Sequence, residues 1–177
     1  GIVETNLTGV NKLWITQNLG ADNVAGSATD GSEAASGWYW QFNRKQGYKH
    51  DGATRTPSTA WITSINEISD WTAGNDPCSI LLGTGWRIPT ALEWNSAGTT
   101  GGWGTAISAY TSVLKLHPAG FLYDINGLLD YRGFTGSYWS STQFSNTNGY
   151  YIYFDVSSGY MANSSKGYGV TIRCLKD

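Results

Sequence analysis

The residue types with the most chemistry in this 177-residue chain are two cysteines, two histidines and a thin scatter of carboxylates. Cys78 and Cys174 lie far apart, and neither sits in a Cys-x-x-Cys pair, so alone they cannot make a four-ligand zinc site. Three readings stand for them: a disulfide, two inert buried thiols, or a nucleophilic thiolate. The third needs a histidine base, and His50 and His117 both lie in loop-like contexts. A bridge would close a loop of roughly a hundred residues, contribute on the order of 4–5 kcal/mol in the chain-entropy account, and imply an oxidising compartment.

Oxygen ligands are the next candidates. Asp124-Ile125-Asn126-Gly127-Leu128-Leu129-Asp130 spaces them closely, but without the ligand spacing and bidentate Glu of an EF-hand. A turn held by Asx bonds is the better reading. A glycosidase needs two carboxylates flanking a cleft; Glu93 is better explained as part of a helix cap, and the other acids fall in turns. G-x-S-x-G, H-E-x-x-H and phosphate-cradling glycine loops are absent. No catalytic residue, metal or cofactor is expected.

The clearest element that could position a site is a helix start in Asn75–Trp94. Thr90 stands three residues before Glu93, the T-x-x-E capping box. The helix should run from about Ala91 to about Ala97, with Gly98 as its stop. Leu92 is its first apolar residue, and Trp94 joins the buried face only in part. Asn75-Asp76-Pro77 reads as turn chemistry. Lys12–Leu19 reads as a strand, and Trp38, Trp40 and Phe42 share one face of an extended segment that goes to the core. Arg44–Pro57 is polar and turn-rich, with Lys45, Lys49, His50 and Asp51 solvated. Trp61–Trp71 is helical or irregular, and Ala106–Leu114 is a second short helix. From Gly136 onward GSYWSST, YYIYF and GVTIRCL read as half-buried antiparallel strands. In YYIYF, Tyr150, Ile152 and Phe154 oppose Tyr151 and Tyr153. In the tail, Val170, Ile172 and Cys174 face in while Thr171 and Arg173 point away.

The length suits one domain over residues 1–177, with 1–11 a lead-in from an upstream domain. A formal charge of −2 argues against a nucleic-acid footprint, and no run approaches a membrane span. GIVETNLTGV carries no signal segment, so any export signal would already be gone. Nine Trp, eleven Tyr and 23 Gly against 14% charged residues suit a loop-rich domain anchored by large rings, most of the tryptophans being core.

WITQNL, NDPC with GWRIPT and EW, KLHPAG, GSYWSST, YYIYF and IRCLKD, in this order, resemble the Fibrobacter succinogenes major paralogous domain of Bacteroidetes surface proteins. The resemblance spans about Trp14 to Asp177. It implies an α+β, C-type lectin-like fold with two short helices, antiparallel strands and long loops. It also implies a Cys78–Cys174 bridge, an exported protein, and a binding role at a cell surface or pilus tip. The chain departs from the family in the longer CSILLGTGW and in its Ala/Ser/Gly-rich early loop. Phe144–Tyr168 further resembles the variable stretch of proteins diversified by retroelements, where adenine-directed mutagenesis rewrites asparagine codons. Its Tyr, Ser, Asn and Gly content is also what paratopes favour.

Three functions follow in order. The first is an extracellular adhesin with no calcium motif of the lectin type, contacting a surface glycan or protein, or pilus subunits. Its face would comprise Phe144, Asn146, Asn148, Tyr150, Asp155, Ser157, Tyr160, Asn163 and Tyr168, with the Asn-flanked edges favoured over the strand centre. The second is a structural domain of a surface assembly with no free ligand. The third is a formylglycine-generating or glycosidase-like enzyme.

Overall fold

The computed structural model describes the whole chain, Gly1–Asp177. Twelve short strands and four short helices alternate irregularly. The first part comprises β1 (Ile2–Thr5), β2 (Lys12–Ile15), α1 (Glu33–Ser36), β3 (Tyr39–Trp40), β4 (Gly47–His50) and β5 (Arg55–Thr56). The middle comprises α2 (Pro77–Leu82), β6 (Trp86–Arg87), α3 (Ala91–Gly101), α4 (Ala106–Thr111), β7 (Phe121–Leu122) and β8 (Leu129–Asp130). The last part is β9 (Gly136–Gln143), β10 (Asn148–Phe154), β11 (Gly159–Ser165) and β12 (Leu175–Lys176). All named strand pairs are antiparallel, so the class is mixed α+β.

Two sheets frame the core. One has the order β1-β2-β12-β6 and brings both ends of the chain together, with Trp14 opposite Leu175 and Leu175 opposite Arg87. Its rim is ionic. Arg87 grips Glu93 with both guanidinium nitrogens at 2.6 and 2.8 Å and reaches Asp177, which also meets Lys12 at 2.6 Å. Those two bonds hold the Asp177 carboxyl far below the ordinary carboxylate range. The other sheet, β11-β10-β9, lays one face on α3. The disulfide joins Cys78 at the start of α2 to Cys174, with Cα atoms 5.7 Å apart and a sequence separation of 96. It clips the tail against a cluster containing Trp40, Phe42, Trp86 and Trp139.

Seven of the nine tryptophans are buried, as expected. The helix start at Thr90 also holds, because a capping box needs only residues three apart: Thr90 Oγ1 accepts from Glu93 N at 3.1 Å and Glu93 Oε1 from Thr90 N at 2.9 Å. Its end does not. The helix runs through Gly98 to Gly101 and stops at Gly102 in the left-handed conformation. Gly98 faces the sheet, where a Cβ would make ordinary contact with Ile152 at 3.4 Å. The buried stripe is Trp94 and Ala97, with Trp94 wholly enclosed; Leu92 is 80% exposed, on the solvent side.

Two helices were not anticipated. Asp76-Pro77 starts α2: Asp76 Oδ1 accepts from Cys78 N, and Pro77 occupies the first turn, where a missing N–H costs nothing. α1 begins at Ser32, whose hydroxyl accepts from Ala35 N. α4 ends at Thr111 rather than Leu114, and the Lys12 strand at Ile15 rather than Leu19. Trp61–Trp71 is irregular, with Ile68 79% exposed. The Arg44–Pro57 stretch forms the β4–β5 hairpin, and His50 is buried there rather than solvated, its Nδ1 accepting from Gly52 N.

The tail departs most from expectation. Only Leu175–Lys176 is strand, and Thr171 and Arg173 are wholly buried rather than turned away. Arg173 lies over the Tyr138 ring and donates to Asn18 Oδ1 and to the Leu114 and Lys115 carbonyls. A guanidinium with that many acceptors can be buried without a carboxylate. Lys166 is buried likewise, donating to Glu67 O at 2.7 Å and Gln143 Oε1 at 3.0 Å above the Phe42 ring.

Candidate ligand-binding face

Side chains alternate along a strand, so β10 divides its residues between two environments. Ile152 and Phe154 turn to α3 and are buried with Trp94, Trp103 and Tyr138. Tyr151 and Tyr153 turn the other way, level with Trp139 and Ser137 of β9 and with Ala162 and Tyr160 of β11. On that side Phe42 closes over Trp139, its ring 5.4 Å away, and Tyr151 packs against the same cluster. Toward β11 the face opens: Tyr151 and Tyr153 are half-buried and Tyr160 is 55% exposed.

A second aromatic group faces these rings. Phe121 of β7 packs edge-on against Tyr123 and Tyr168 and stacks on Tyr131, at centroid distances of 5.2, 5.4 and 5.7 Å. A small cleft of about 110 Å³ separates the groups, with Tyr151 and Tyr153 on one wall and Phe121 and Tyr168 on the other. Tyr153 also borders a larger open cleft of about 740 Å³ beside the β7–β8 hairpin, within the usual size range of small-ligand sites.

The phenols are polar handles on apolar bodies. Tyr153 donates to Asp155 Oδ2 at 2.8 Å and Tyr123 to Asp130 Oδ2 at 2.5 Å. Burial and the Asp155 bond push the Tyr153 phenol well above its ordinary value, and the Asp130 bond pushes Tyr123 up to about 12. Asp155 is held low by the Ser157 N–H, the Tyr153 hydroxyl and the Ser158 N–H. The face therefore presents neutral phenols and a charged carboxylate at neutral pH. No group of three or more His, Cys, Asp and Glu side chains is placed to hold a metal ion.

The nine residues expected to make contact fall into separate places. Phe144, Asn148, Tyr150 and Asn163 lie at the Asn148 end of the sheet, on its α3 side; the Phe144 and Tyr150 rings are 5.4 Å apart and Asn148 donates to Asn163 at 3.0 Å. Asn146 is exposed in the β9–β10 turn, where its carbonyl accepts from Glu67 N. Asp155 and Ser157 form the β10–β11 turn, with Asp155 Oδ1 accepting from the N–H groups of Ser157 and Ser158. Tyr160 and Tyr168 belong to the tyrosine face, and Asp155 joins it through Tyr153. Sequence reasoning passed over Phe121, Tyr123, Tyr131, Tyr151 and Tyr153 as site residues. A usable signal was present: Phe121, Tyr123 and Tyr131 flank the Asp124–Gly127 turn, so a hairpin there would gather them.

His117, weighed as a base, is buried away from this face, its Nδ1 3.0 Å from the Asp30 carbonyl and its Nε2 2.9 Å from that of Ala35. Burial, with the Arg173 charge, holds it down to about 4. The neutral ring donates to one carbonyl only.

No protein-family model, curated protein or solved structure matches the chain.

Proposed function

We propose that the chain is an extracellular ligand-binding module, an adhesin of a cell surface or pilus tip, and that it contacts its ligand through the tyrosine face of the β9–β11 sheet. The observation that carries the reading is the open side of β10 and β11, where Tyr151 and Tyr153 meet Phe121 and Tyr168 across a cleft and Tyr160 extends the row beside Tyr153. Half-buried tyrosines give large, rigid contact area and a hydrogen-bonding tip. The Cys78–Cys174 bridge suits an oxidising, extracellular setting.

The C-type lectin-like identity and the likeness to the Fibrobacter succinogenes major paralogous domain belong to this proposal. Paired chain ends, the bridge to the tail and long irregular connections support them. Exposure of Asn146, Tyr160 and Asn163 suits retroelement-driven variation. The turn-forming role of Asp155 does not, because few residues could replace it there.

The test is binding of the purified chain to a panel of glycans and surface proteins, with and without calcium. A variant carrying Tyr151→Ala, Tyr160→Ala and Tyr168→Ala runs beside it, its fold checked by circular dichroism. Binding lost in the folded variant supports the face; binding kept would move the site elsewhere. One observation favours the second reading, a domain packed within a surface assembly. Ile80, Leu81 and Leu82 at the end of α2 are 50%, 58% and 40% exposed side by side. Silence across the panel together with association through these residues would support it.

A further inference from the structure

The β9–β11 sheet has one free edge. On its β9 side the backbone is taken up: the Trp139 N–H donates to the Thr171 carbonyl and the Ser141 N–H to that of Pro89. On the other side β11 has no neighbouring strand. At the two ends of the β10–β11 hairpin, the Asp155 N–H bonds the Ser158 carbonyl and the Lys166 N–H bonds that of Thr147. Bonded pairs alternate along an antiparallel ladder, so between those ends Tyr160, Ala162 and Ser164 bond β10. Met161 and Asn163 aim their N–H and C=O groups outward, and nothing in the molecule bonds them.

Edge strands in natural proteins are blunted by shortness, charge, proline or a bulge. The other terminal strands follow this rule. β1 has four residues and carries the exposed Glu4, β5 is two residues running into Pro57, and β6 is two residues ending in Arg87. β11 has none of these devices. Its seven residues, Gly159–Ser165, include no charge and no proline, pair with β10 without a bulge, and none of them is buried.

The strand is also complementary to itself. Turned about a two-fold axis through Ala162, it sets Met161 opposite Asn163 of a second copy, each exchanging both backbone bonds. Ala162 then meets its own copy as the non-bonded pair on the axis, where Cα atoms come within about 4.5 Å and a methyl group fits. Tyr160 comes beside Ser164 of the second copy, on the tyrosine face. No position opposes like charges, which would destabilise such a pairing.

We infer that the chain pairs with a second copy of itself through β11, antiparallel about a two-fold axis at Ala162, joining two three-stranded sheets into one. The two tyrosine faces become a single surface, whatever ligand that surface takes.

The experiment is sedimentation equilibrium of the full 177-residue chain from about 10 μM to about 1 mM, the affinity range of small interfaces. Amide hydrogen exchange is followed at both ends of that range. The expected result is a monomer–dimer equilibrium in which protection of the Met161 and Asn163 amides rises with concentration, while Tyr160, Ala162 and Ser164 are protected throughout. Ala162→Lys puts two ammonium groups on the axis and should weaken the dimer about tenfold or more. Lysine suits an exposed strand edge, and circular dichroism checks that the variant folds. Ala162→Glu alone should weaken the dimer likewise, and an equimolar mixture of the two variants should restore it as the mixed pair. A chain that stays monomeric with both outward amides unprotected overturns the inference. So does a dimer that survives Ala162→Lys, or one that leaves Met161 and Asn163 unprotected, since its contact lies on another surface such as the exposed Ile80, Leu81 and Leu82. Should both charged variants unfold, the exchange pattern of the parent chain decides alone.

Discussion

Strand β10 offers two environments on one backbone. Its α3 side buries Ile152 and Phe154 against tryptophans; its other side leaves Tyr151 and Tyr153 only partly covered. Strand geometry is common to both, so the difference lies in what covers each side. Apolar residues sit where a helix lands, and amphipathic rings sit where none does. The whole chain repeats that division, with seven of nine tryptophans buried against three of eleven tyrosines. Trp71, Trp94 and Trp139 spend their single donors inside, Trp94 on the Trp139 carbonyl at 3.0 Å. Tyr can keep its ring against protein and its oxygen toward a ligand. The covered side should therefore govern stability and the open side recognition.

The largest effect should fall on both sides together. The bridge closes a loop of 96 residues, so the paired change Cys78→Ala and Cys174→Ala should cost about 4–5 kcal/mol in the chain-entropy account. Denaturant unfolding reads this directly; a cost below about 1 kcal/mol would mean that tail packing alone fixes the end of the chain. Next comes the first change that separates the sides. Phe154→Ala opens a hole beneath Tyr138 and should cost about 3–5 kcal/mol. Tyr151→Ala, only partly buried on the same strand, should cost less than half of that. Equal costs in urea melts would erase the distinction between the two sides.

Acid sharpens it further. A buried His117 held at about 4 leaves the unfolded chain to take the proton first as pH falls below about 6.5. The contribution of the neutral ring is fully present above that value and is lost on descent toward 4, about 3 kcal/mol in all. Burial holds His50 down as well, adding loss in the same direction. The open face should not follow, since Tyr123 and Tyr153 are pushed up and Asp155 is held down. Unfolding free energy should fall between pH 7.5 and 5 while ligand affinity of the folded protein stays flat. His117→Gln should flatten the first curve; an unchanged slope would assign it to another group.

Local chemistry was legible in the sequence and remote cover was not. Thr90 and Glu93 make their box within one turn, so their spacing sufficed. Asp76-Pro77 carried an equally local helix start, a capping carboxylate followed by proline, and was misread as a turn because both residues also favour turns. The alternation in YYIYF showed two faces, but which one lies open depends on where α3 lands, some fifty residues upstream. Arg173 is the extreme case. Alternation sends it outward, yet Asn18 and the carbonyls of Leu114 and Lys115 receive it from two distant parts of the chain. Phe121 and Tyr168 likewise meet only because the tail returns past β7, where Leu122 and Gly169 exchange backbone hydrogen bonds.

The smallest stability effect should accompany the clearest functional one. Tyr160 is 55% exposed and touches the face through Tyr153, with ring centroids 5.2 Å apart. Truncation to Ala removes little buried surface and no phenol hydrogen bond, so Tyr160→Ala should shift unfolding by about 0.5 kcal/mol or less. An aromatic anchor at a binding surface is worth more than that when removed, about 1–2 kcal/mol or roughly tenfold in affinity. Leu92→Ala, similarly small for stability at a helix position 80% exposed, is the matched control away from the sheet. Melting curves and affinities measured on the same two variants decide the matter. If Tyr160→Ala binds as the parent does while Leu92→Ala does not, recognition belongs to the helix side. The open tyrosines would then be no more than the unfinished edge of a sheet.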